Sequence, residues 1–247
     1  MSRLRVTARV ELMKEIVDLL SMLTEEAKLV WKENGLYITV VDGSHVALLS
    51  ATIGDACFET YEVEPVEIGL ELGDLRDFLS VFGPSDLVEL DQNQKYAINV
   101  RVGAVHRIIR LLDASIIDKA RKPALSSGNR ATIDTSKFLN ALISVKFIAG
   151  LVDLKLDSNQ MIVSREVSPT NSVKVRFDAG ELSELVAPKP TASTYSLLFL
   201  YPLIRKLASG LTNSVTLELK DNSPLIITWN SDYSGVSWEC LLAHNRS

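Results

Sequence analysis

Three histidines are the side chains with the greatest capacity for chemistry, and they stand far apart in the sequence. His45 lies within VVDGSHVALL, His106 begins HRIIRLLD, and His244 is close to the end. Protein zinc sites draw their ligands from closely spaced residues, as in HxxxH or HExxH, and neither pattern occurs here. The histidines therefore predict no metal site, and no other residue set predicts a cofactor.

Motifs that bind phosphate or activate a nucleophile are also missing from the sequence. The segment GLELGDL contains two glycines, but it lacks the glycine-rich turn between strand and helix that cradles a phosphate. The nucleophile motif GxSxG does not occur. Carboxylates such as Glu62, Glu64 and Glu67 are numerous, which is typical of a solvated face rather than of an acid/base pair. We expect no catalytic residue, and a hydrolase is kept as a remote alternative.

The composition is that of a globular protein that does not coat nucleic acid. Of 247 residues, 47% are hydrophobic and 23% charged, with a formal net charge of -5. Cys57 and Cys240 lie far apart in apolar segments, so we expect two buried free thiols rather than a disulfide framework. No apolar run approaches the roughly 20 residues that span a bilayer. The first residues lack the features of a signal peptide, so we expect a soluble intracellular protein.

Helical and strand periodicities alternate along the first half of the chain. Apolar residues recur at three- and four-residue spacing from Val10 to Leu20, which predicts an amphipathic helix. Alternating apolar residues on both sides of DGS predict a hairpin around Gly43. A second helix is predicted in DLRDFLSVFG, with Asp74 as its N-cap and Gly83 as its stop. Strands precede and follow this helix.

The same order of elements returns about 125 to 128 residues later, which indicates an internal repeat. TSKFLNALISVKF predicts a helix capped by Thr135 or Ser136, and YSLLFLYPLIRKL a helix with Pro202 in its first turn. We therefore predict an α+β fold of two similar domains. Their predicted bounds are 1–114 and 131–247, joined by a connecting loop at 115–130.

Basic charge is biased towards the helices of the second repeat. Lys137, Lys146, Arg205 and Lys206 have no acidic residue among them, whereas the helices of the first repeat mix both signs. Ordinary solvated helix faces explain any one of these residues equally well.

The segments VVDGSHVALL, ETYEV and IGLELGDLRDFL resemble the first half of a sliding clamp of the proliferating cell nuclear antigen family, archaeal-like. SVTLEL, NSPLIITW and the terminal LLA agree with the second half. The resemblance implies two domains, each with two helices on curved antiparallel sheet, and three chains closed into a ring around duplex DNA. It implies no enzymatic activity: the clamp tethers DNA polymerase and other replication and repair proteins.

The resemblance also implies roles for individual residues. Those that would face DNA are Arg9, Lys14, Arg76, Lys137, Lys146, Arg205 and Lys206. A pocket for partner peptides would comprise Val41, His45, Val46, Leu48, Ile117, Ala124, Leu125, Pro224, Leu225, Leu242 and Ala243. In this reading His45 is a rim group and not a catalyst. The subunit interface would pair Arg107, Ile108, Ile109 and Arg110 with Val173, Lys174, Val175 and Arg176 of the next chain.

The expected partners are double-stranded DNA, bound without sequence preference, and proteins that carry short hydrophobic motifs. The resemblance names DNA polymerase, flap endonuclease, DNA ligase and a clamp loader as such proteins. Asp77 and Ser80 stand where family members tend to carry lysines, and His244 stands where a proline is usual. These departures leave two alternatives open: one subunit of a heterotrimeric clamp, or a specialised, checkpoint-type clamp. The expected location is the cytoplasm, at the nucleoid, for an archaeal chain and the nucleus for a eukaryotic one.

Overall fold

A computed structural model of the chain describes residues 4–117, 120, 122–123, 127–231 and 233–245. The chain divides into two compact units. Unit 1 comprises Met1–Arg121 and Asn230–Trp238, and unit 2 comprises Lys122–Trp229 and Glu239–Ser247. The last part of unit 1 is thus supplied by a segment close to the end of the chain.

Strands and helices follow the same order in the two halves of the chain, which confirms the predicted repeat. The first half contains β1 (Leu4–Arg9), α1 (Val10–Leu20), β2 (Glu26–Lys32), β3 (Gly35–Val41), β4 (Ala47–Gly54), β5 (Thr60–Val63), β6 (Val66–Glu71), α2 (Leu72–Ser80), β7 (Leu87–Gln94), β8 (Ala97–Val102) and β9 (Val105–Arg110). The second half contains β10 (Asn129–Asp134), α3 (Thr135–Lys146), β11 (Leu151–Leu156), β12 (Gln160–Ser168), β13 (Asn171–Asp178), β14 (Glu184–Val186), β15 (Thr191–Ser196), α4 (Leu197–Leu207), β16 (Ser214–Leu219), β17 (Leu225–Asn230) and β18 (Val236–Leu242). A single 3₁₀ turn follows β4 and another follows β13.

Each unit contains two runs of antiparallel strands. In unit 1 one sheet has the order β5-β1-β7-β8-β9, and a second run has the order β4-β3-β2-β6, with Val236–Trp238 beside β4. In unit 2 one run has the order β14-β10-β16-β17, and a four-stranded sheet has the order β13-β12-β11-β15. As a result, β9 is the last strand of its sheet in unit 1, and β13 is the last strand of its sheet in unit 2.

The helices pack their apolar sides against these sheets, as their periodicity predicts. On α1 the side chains of Leu12, Met13, Ile16 and Val17 are buried. On α3 the buried side chains are spaced by three and four residues and include Phe138 and Leu142. The predicted α+β architecture is therefore confirmed.

The predicted helix starts were wrong for α2 and α3. The α2 helix begins at Leu72, after Glu71, so Asp74 lies in the first turn and is not the N-cap. The N-cap of α3 is Asp134, whose carboxylate accepts a hydrogen bond from the backbone N–H of Lys137 at 2.8 Å. Thr135 is instead the first residue of that helix, and it is buried. Each predicted N-cap lies within three residues of the observed one. Apolar periodicity locates the body of a helix and leaves its exact ends less certain.

Pro202 lies inside α4 and not in its first turn, so that prediction was also wrong. It is the sixth residue of an 11-residue helix that begins after Ser196, whose Oγ accepts from the backbone N–H of Leu198 at 3.2 Å. A proline inside a helix provides no N–H for the carbonyl one turn earlier, which here belongs to Leu198. The side chain of Leu198 is 73% exposed, so solvent reaches this part of the helix.

The two cysteines differ in their environment. Cys240 is buried, and burial raises the pKa of its thiol to about 12. Cys57 is half-buried; its Sγ donates to the carbonyl of Ser234 at 3.3 Å, and desolvation raises the pKa of this thiol too. Both thiols are free, but only Cys240 has the buried position that the sequence predicts.

Candidate DNA-facing helices, edge strands and peptide pocket

The two helices of unit 2 place basic and aromatic side chains together. The Nζ atom of Lys146, at the end of α3, lies 3.9 Å from the ring centroid of Tyr201 on α4. Tyr201 and Arg205 are four residues apart, so they lie on one side of α4. A hollow of about 300 Å³ on this surface is lined by Tyr201, Pro202, Arg205, Lys206 and Ser209.

These basic side chains are accessible to solvent. Lys137, Lys146 and Arg205 are exposed, and Lys206 is half-buried. Tyr201 had no role in the sequence-based prediction. Its spacing from Arg205 is the sequence signal that could have found it, because residues four apart on a helix share a face.

In unit 1 the three predicted DNA-facing residues have partners within the unit. Arg9 precedes α1, and its Nε lies 3.7 Å from a carboxylate oxygen of Glu59. Lys14 donates from Nζ to the carbonyl of Phe82 at 2.8 Å. Arg76 lies 3.9 Å from the carboxylate of Asp77. The positive charge available to an anion is therefore smaller on the helices of unit 1 than on those of unit 2.

The β3–β4 turn contains His45 and Val46 of the predicted peptide pocket, and Asp42 holds its shape. The buried carboxylate of Asp42 accepts backbone hydrogen bonds from Ser44, Val46 and Ala47 at 2.9, 2.7 and 2.6 Å. His45 follows with φ 55, a left-handed conformation, and is exposed. The turn thus presents His45 to solvent on a rigid backbone.

The remaining unit 1 residues of the predicted pocket differ in accessibility. Val41 and Val46 are half-buried, and Leu48 is buried at 8% exposure. Ile117 is half-buried. A Cβ added to Gly69 would lie only 2.8 Å from the Cδ1 of Ile117. Ile117 therefore packs closely on the backbone of Gly69.

The predicted pocket residues of unit 2 are partly core residues. Leu225 and Leu242 are buried at 0% and 1% exposure, while Pro224 and Ala243 are half-buried. The predicted residues Ala124 and Leu125 lie outside the described part of the chain. Two residues before Ala124, Lys122 donates from Nζ to a Glu239 carboxylate oxygen at 2.6 Å.

The predicted interface residues lie on the two terminal strands β9 and β13. On β9, Ile108 is 58% exposed and Arg110 is exposed, whereas Ile109 is buried. Arg107 points to α2, where it donates to the backbone carbonyl of Asp74 at 2.9 Å and also to the Asp74 carboxylate.

On β13 the side chains alternate between exposed and half-buried. Lys174 and Arg176 are exposed, and Val173 and Val175 are half-buried. On β13 the exposed row is thus basic and the inner row apolar, whereas the exposed row of β9 combines His106 and Arg110 with Ile108. Each strand lies at the edge of its sheet, which suits pairing with a further strand.

The described residues contain no group of three His, Cys, Asp or Glu side chains arranged to hold a metal ion. His45 is exposed, and Nε2 of His106 lies within hydrogen-bond distance, 3.2 Å, of Oδ1 of Asn99. Within the same ranges, no helix is long and apolar enough to cross a membrane.

The first half of the chain matches the model of a known protein family. Residues 3–114 match the model described as proliferating cell nuclear antigen, N-terminal domain. This domain of the chain is thus similar to the N-terminal domain of proliferating cell nuclear antigen. The resemblance read from the sequence is thereby confirmed.

Curated relatives are similar to this chain over nearly its whole length. The DNA polymerase sliding clamp of Picrophilus torridus is 24% identical over 240 residues, with 97% of each chain covered. That of Thermoplasma volcanium is 27% identical over 230 residues, covering 93% of this chain and 92% of the relative.

Solved structures of the family have the same fold. Proliferating cell nuclear antigen of A. fulgidus, bound to the C-terminal region of FEN-1, has a TM-score of 0.91 and 24% identity, with 99% of both chains covered. The Entamoeba histolytica protein has a TM-score of 0.88 and 18% identity, with full coverage of both chains. The predicted clamp fold is confirmed, while the closed ring of three chains stays a prediction.

Proposed function

We propose that this chain is a DNA polymerase sliding clamp, which encircles duplex DNA and holds DNA polymerase and other replication and repair proteins on it. The observation that carries the proposal is similarity to a curated DNA polymerase sliding clamp over 97% of the chain, together with a fold that matches solved proliferating cell nuclear antigen structures. The clamp acts by topology and binding and catalyses no reaction. The relatives named above are archaeal, which favours a location at the nucleoid in the cytoplasm.

The basic surface of α3 and α4 supports contact with DNA. Lys137, Lys146 and Arg205 present exposed positive charge without acidic residues on either helix. Lysine and arginine neutralise phosphates regardless of base sequence, and a clamp that slides must not be held at one sequence. The net charge of -5 disfavours nonspecific coating of DNA by the rest of the surface.

The two terminal strands support closure of a ring. An unpaired strand edge readily pairs with a strand of another chain, and head-to-tail contacts close after a fixed number of copies. In unit 1, Val236–Trp238 of β18 lie beside β4. By the internal repeat, β18 corresponds to β9 and β4 to β13. Pairing of β9 with β13 of the next chain would therefore reproduce a contact that the chain already makes.

Partner proteins are proposed to bind through short peptides at the rim formed by the β3–β4 turn. His45 is exposed there and Val46 is half-buried, on a backbone held by Asp42. A peptide with a hydrophobic plug needs an apolar patch with a polar rim, and these two side chains supply one of each. The known complex of the A. fulgidus protein with a FEN-1 segment supports this mode of binding. By analogy, we propose DNA polymerase, flap endonuclease, DNA ligase and a clamp loader as partners.

Stimulation of a polymerase tests the proposal. The purified chain, a clamp loader and a family B polymerase from a related archaeon would be assayed for product length on primed circular DNA. We expect long products with the chain and short products without it. Products of equal length under both conditions would contradict a role as processivity factor.

A heteromeric clamp is a second candidate, and the charges of the two edges favour it. Neither β9 nor residues 171–177 of β13 contain an acidic residue. Identical chains would therefore bring His106 and Arg110 near Lys174 and Arg176, and like charges on paired strands are destabilising. Light scattering of the isolated chain separates the candidates: a trimer at three times 27.3 kDa supports self-closure, and a persistent monomer supports a different partner chain.

A further inference from the structure

Unit 1 contains a groove beside the end of β9 that none of the proposed roles uses. It has a volume of about 660 Å³, within the range of about 300–1,000 Å³ typical of binding pockets. Its lining comes from three segments, 66–68, 92–96 and 111–114. We call it the β6 groove, because residues 66–68 belong to the edge strand β6.

Backbone hydrogen bonds hold the floor of the β6 groove in place. Leu111 donates from its N–H to the carbonyl of Tyr96 at 2.9 Å, and Leu112 donates to the carbonyl of Gly69 at 2.9 Å. The rim carries Tyr96, whose side chain is 67% exposed, and Lys95, whose Nζ lies 5.0 Å from the Tyr96 ring centroid. The groove therefore offers an aromatic face and the ammonium group of Lys95 on a fixed backbone, and its lining also contains the carboxylates of Glu67 and Asp113.

The internal repeat predicts which part of a neighbouring chain would reach this groove. In unit 1 the backbone N–H of Gly54, at the end of β4, donates at 3.0 Å to the carbonyl of Gly235, which immediately precedes β18. The end of one strand thus meets the start of the other, so the two run antiparallel. The repeat equivalents are Asp178, at the end of β13, and Ala104, which immediately precedes β9.

Pairing of Ala104 with Asp178 of the next chain sets the register of the whole junction. Counting equal numbers of residues inward along both strands brings Arg110, the last residue of β9, opposite Ser172. Beyond Arg110 the outer edge at Leu112 is taken by the hydrogen bond to Gly69, so Thr170 would lie beside Leu112 rather than pair with it. Leu112 lines the β6 groove, and Thr170 belongs to the turn that joins β12 and β13. The same register that closes the ring therefore brings this turn to the groove.

The turn between β12 and β13 and the strand ends beside it, residues 166–171, have the chemistry that the groove accepts; we call this segment the β12–β13 turn. Val167 is 54% exposed, and Glu166 and Pro169 are exposed as well. The pairing register shifts between Glu166 and Ser168, which leaves Val167 out of the regular ladder. Proline and valine can pack on the exposed ring of Tyr96, and the Glu166 carboxylate is opposite in charge to Lys95.

We propose that the β12–β13 turn, residues 166–171, of the next copy in the ring docks into the β6 groove. The proposal rests on the proposed ring and adds a second contact to each subunit junction beyond the pairing of β9 with β13. Each junction is then fixed in register as well as in orientation.

Cysteine cross-linking tests this contact directly. Gln94→Cys, in the groove, and Thr170→Cys, in the turn, would be combined in one chain that also carries Cys57→Ser; Cys240 is buried. Under mild oxidation we expect covalent dimers and trimers. The control combines Thr170→Cys with Ser85→Cys, an exposed residue before the other end of β7, and should stay uncross-linked.

The result separates failure of this contact from failure of the ring. A trimer in solution with no cross-link, or with equal cross-linking of the control pair, would overturn the docking and leave the clamp function standing. A chain that never self-associates would overturn both the self-closing ring and the docking.

A second variant tests the same contact without oxidation. Val167→Asp places a charge in the docked turn, and we expect at least about a tenfold rise in the concentration at which half the trimer dissociates. The matched control is Val186→Asp on β14, where the side chain is 47% exposed and the trimer should persist. Equal dissociation of the two variants would overturn the proposal.

Discussion

Lys146 and Tyr201 join the two helices of unit 2 through a cation–π contact, with Nζ 3.9 Å from the ring centroid. Such contacts contribute about 0.5–1 kcal/mol at exposed sites and leave the charge accessible. The contact fixes the ammonium group over α4, on the side that also carries Arg205. A basic surface held by helix packing can meet phosphates without ordering a flexible side chain first.

Lys146→Gln is expected to weaken DNA binding equally on all sequences. If Lys146 neutralises a phosphate, its loss should reduce the slope of log affinity against log salt by about 1. Fluorescence anisotropy with two unrelated duplexes over a salt series measures both effects. Lys155→Gln, an exposed lysine on β11, is the control and should change neither. A loss confined to one of the duplexes would contradict a sliding role.

Val46→Glu should abolish polymerase stimulation while the chain keeps its fold and its oligomeric state. Val46 is half-buried in the β3–β4 turn, so a charge is tolerated there better than at the buried Leu48. Product length on primed DNA and light scattering are the two measurements. Ser44→Glu, at an exposed position in the same turn, is the control. Loss of the trimer in the Val46 variant would count against a peptide site at this turn.

Glu15→Gln should destabilise unit 1 by about 1–3 kcal/mol. The buried carboxylate of Glu15 accepts from Ser231 Oγ at 2.7 Å and from Trp238 Nε1 at 2.9 Å, so it ties α1 to the returning segment. An amide has one oxygen and cannot accept both bonds in the same way. Urea unfolding followed by tryptophan fluorescence measures the change. A urea midpoint of the Glu15→Gln variant equal to that of the unaltered chain would refute this role for Glu15.

Asp157 should make the stability of the chain depend on pH in the acid range. The pKa of Asp157 is lowered from 3.8, first by the backbone N–H of Asn159 and then by the side chain of Gln160. Because the folded pKa is the lower one, the contribution is fully present above about pH 3.8 and is lost as the pH falls through the folded pKa. We expect Asp157→Asn to reduce the difference between urea midpoints at pH 6 and pH 3. Glu33→Gln, exposed in the β2–β3 turn, is the control.

Local patterns predicted the elements of this fold well, because apolar periodicity depends only on which face of a helix or strand is buried. The alternation around Gly43 and the spacing from Val10 to Leu20 both correspond to elements of the structure. The repeat followed from the order of such elements. Helix ends were less predictable: Asp134, Thr135 and Ser136 are all residue types that can serve as an N-cap, and periodicity did not choose among them.

The accessibility of the individual pocket side chains could not be predicted from the sequence. Leu225 and Leu242 share a predicted pocket with Val46, yet both are buried and Val46 is half-buried. Likewise, Lys14 donates to the carbonyl of Phe82, 68 residues away in sequence. Such pairings arise when distant segments pack together, and single-sequence patterns contain no information about them.

Topological retention on DNA tests the central claim most directly. The chain, a clamp loader and ATP would be incubated with a nicked circular plasmid, and bound protein would be separated from free protein by gel filtration. The account predicts that the chain elutes with the circle and is released when a restriction enzyme linearises the plasmid. Retention on the linear DNA, or failure to be retained on the circle, would contradict it.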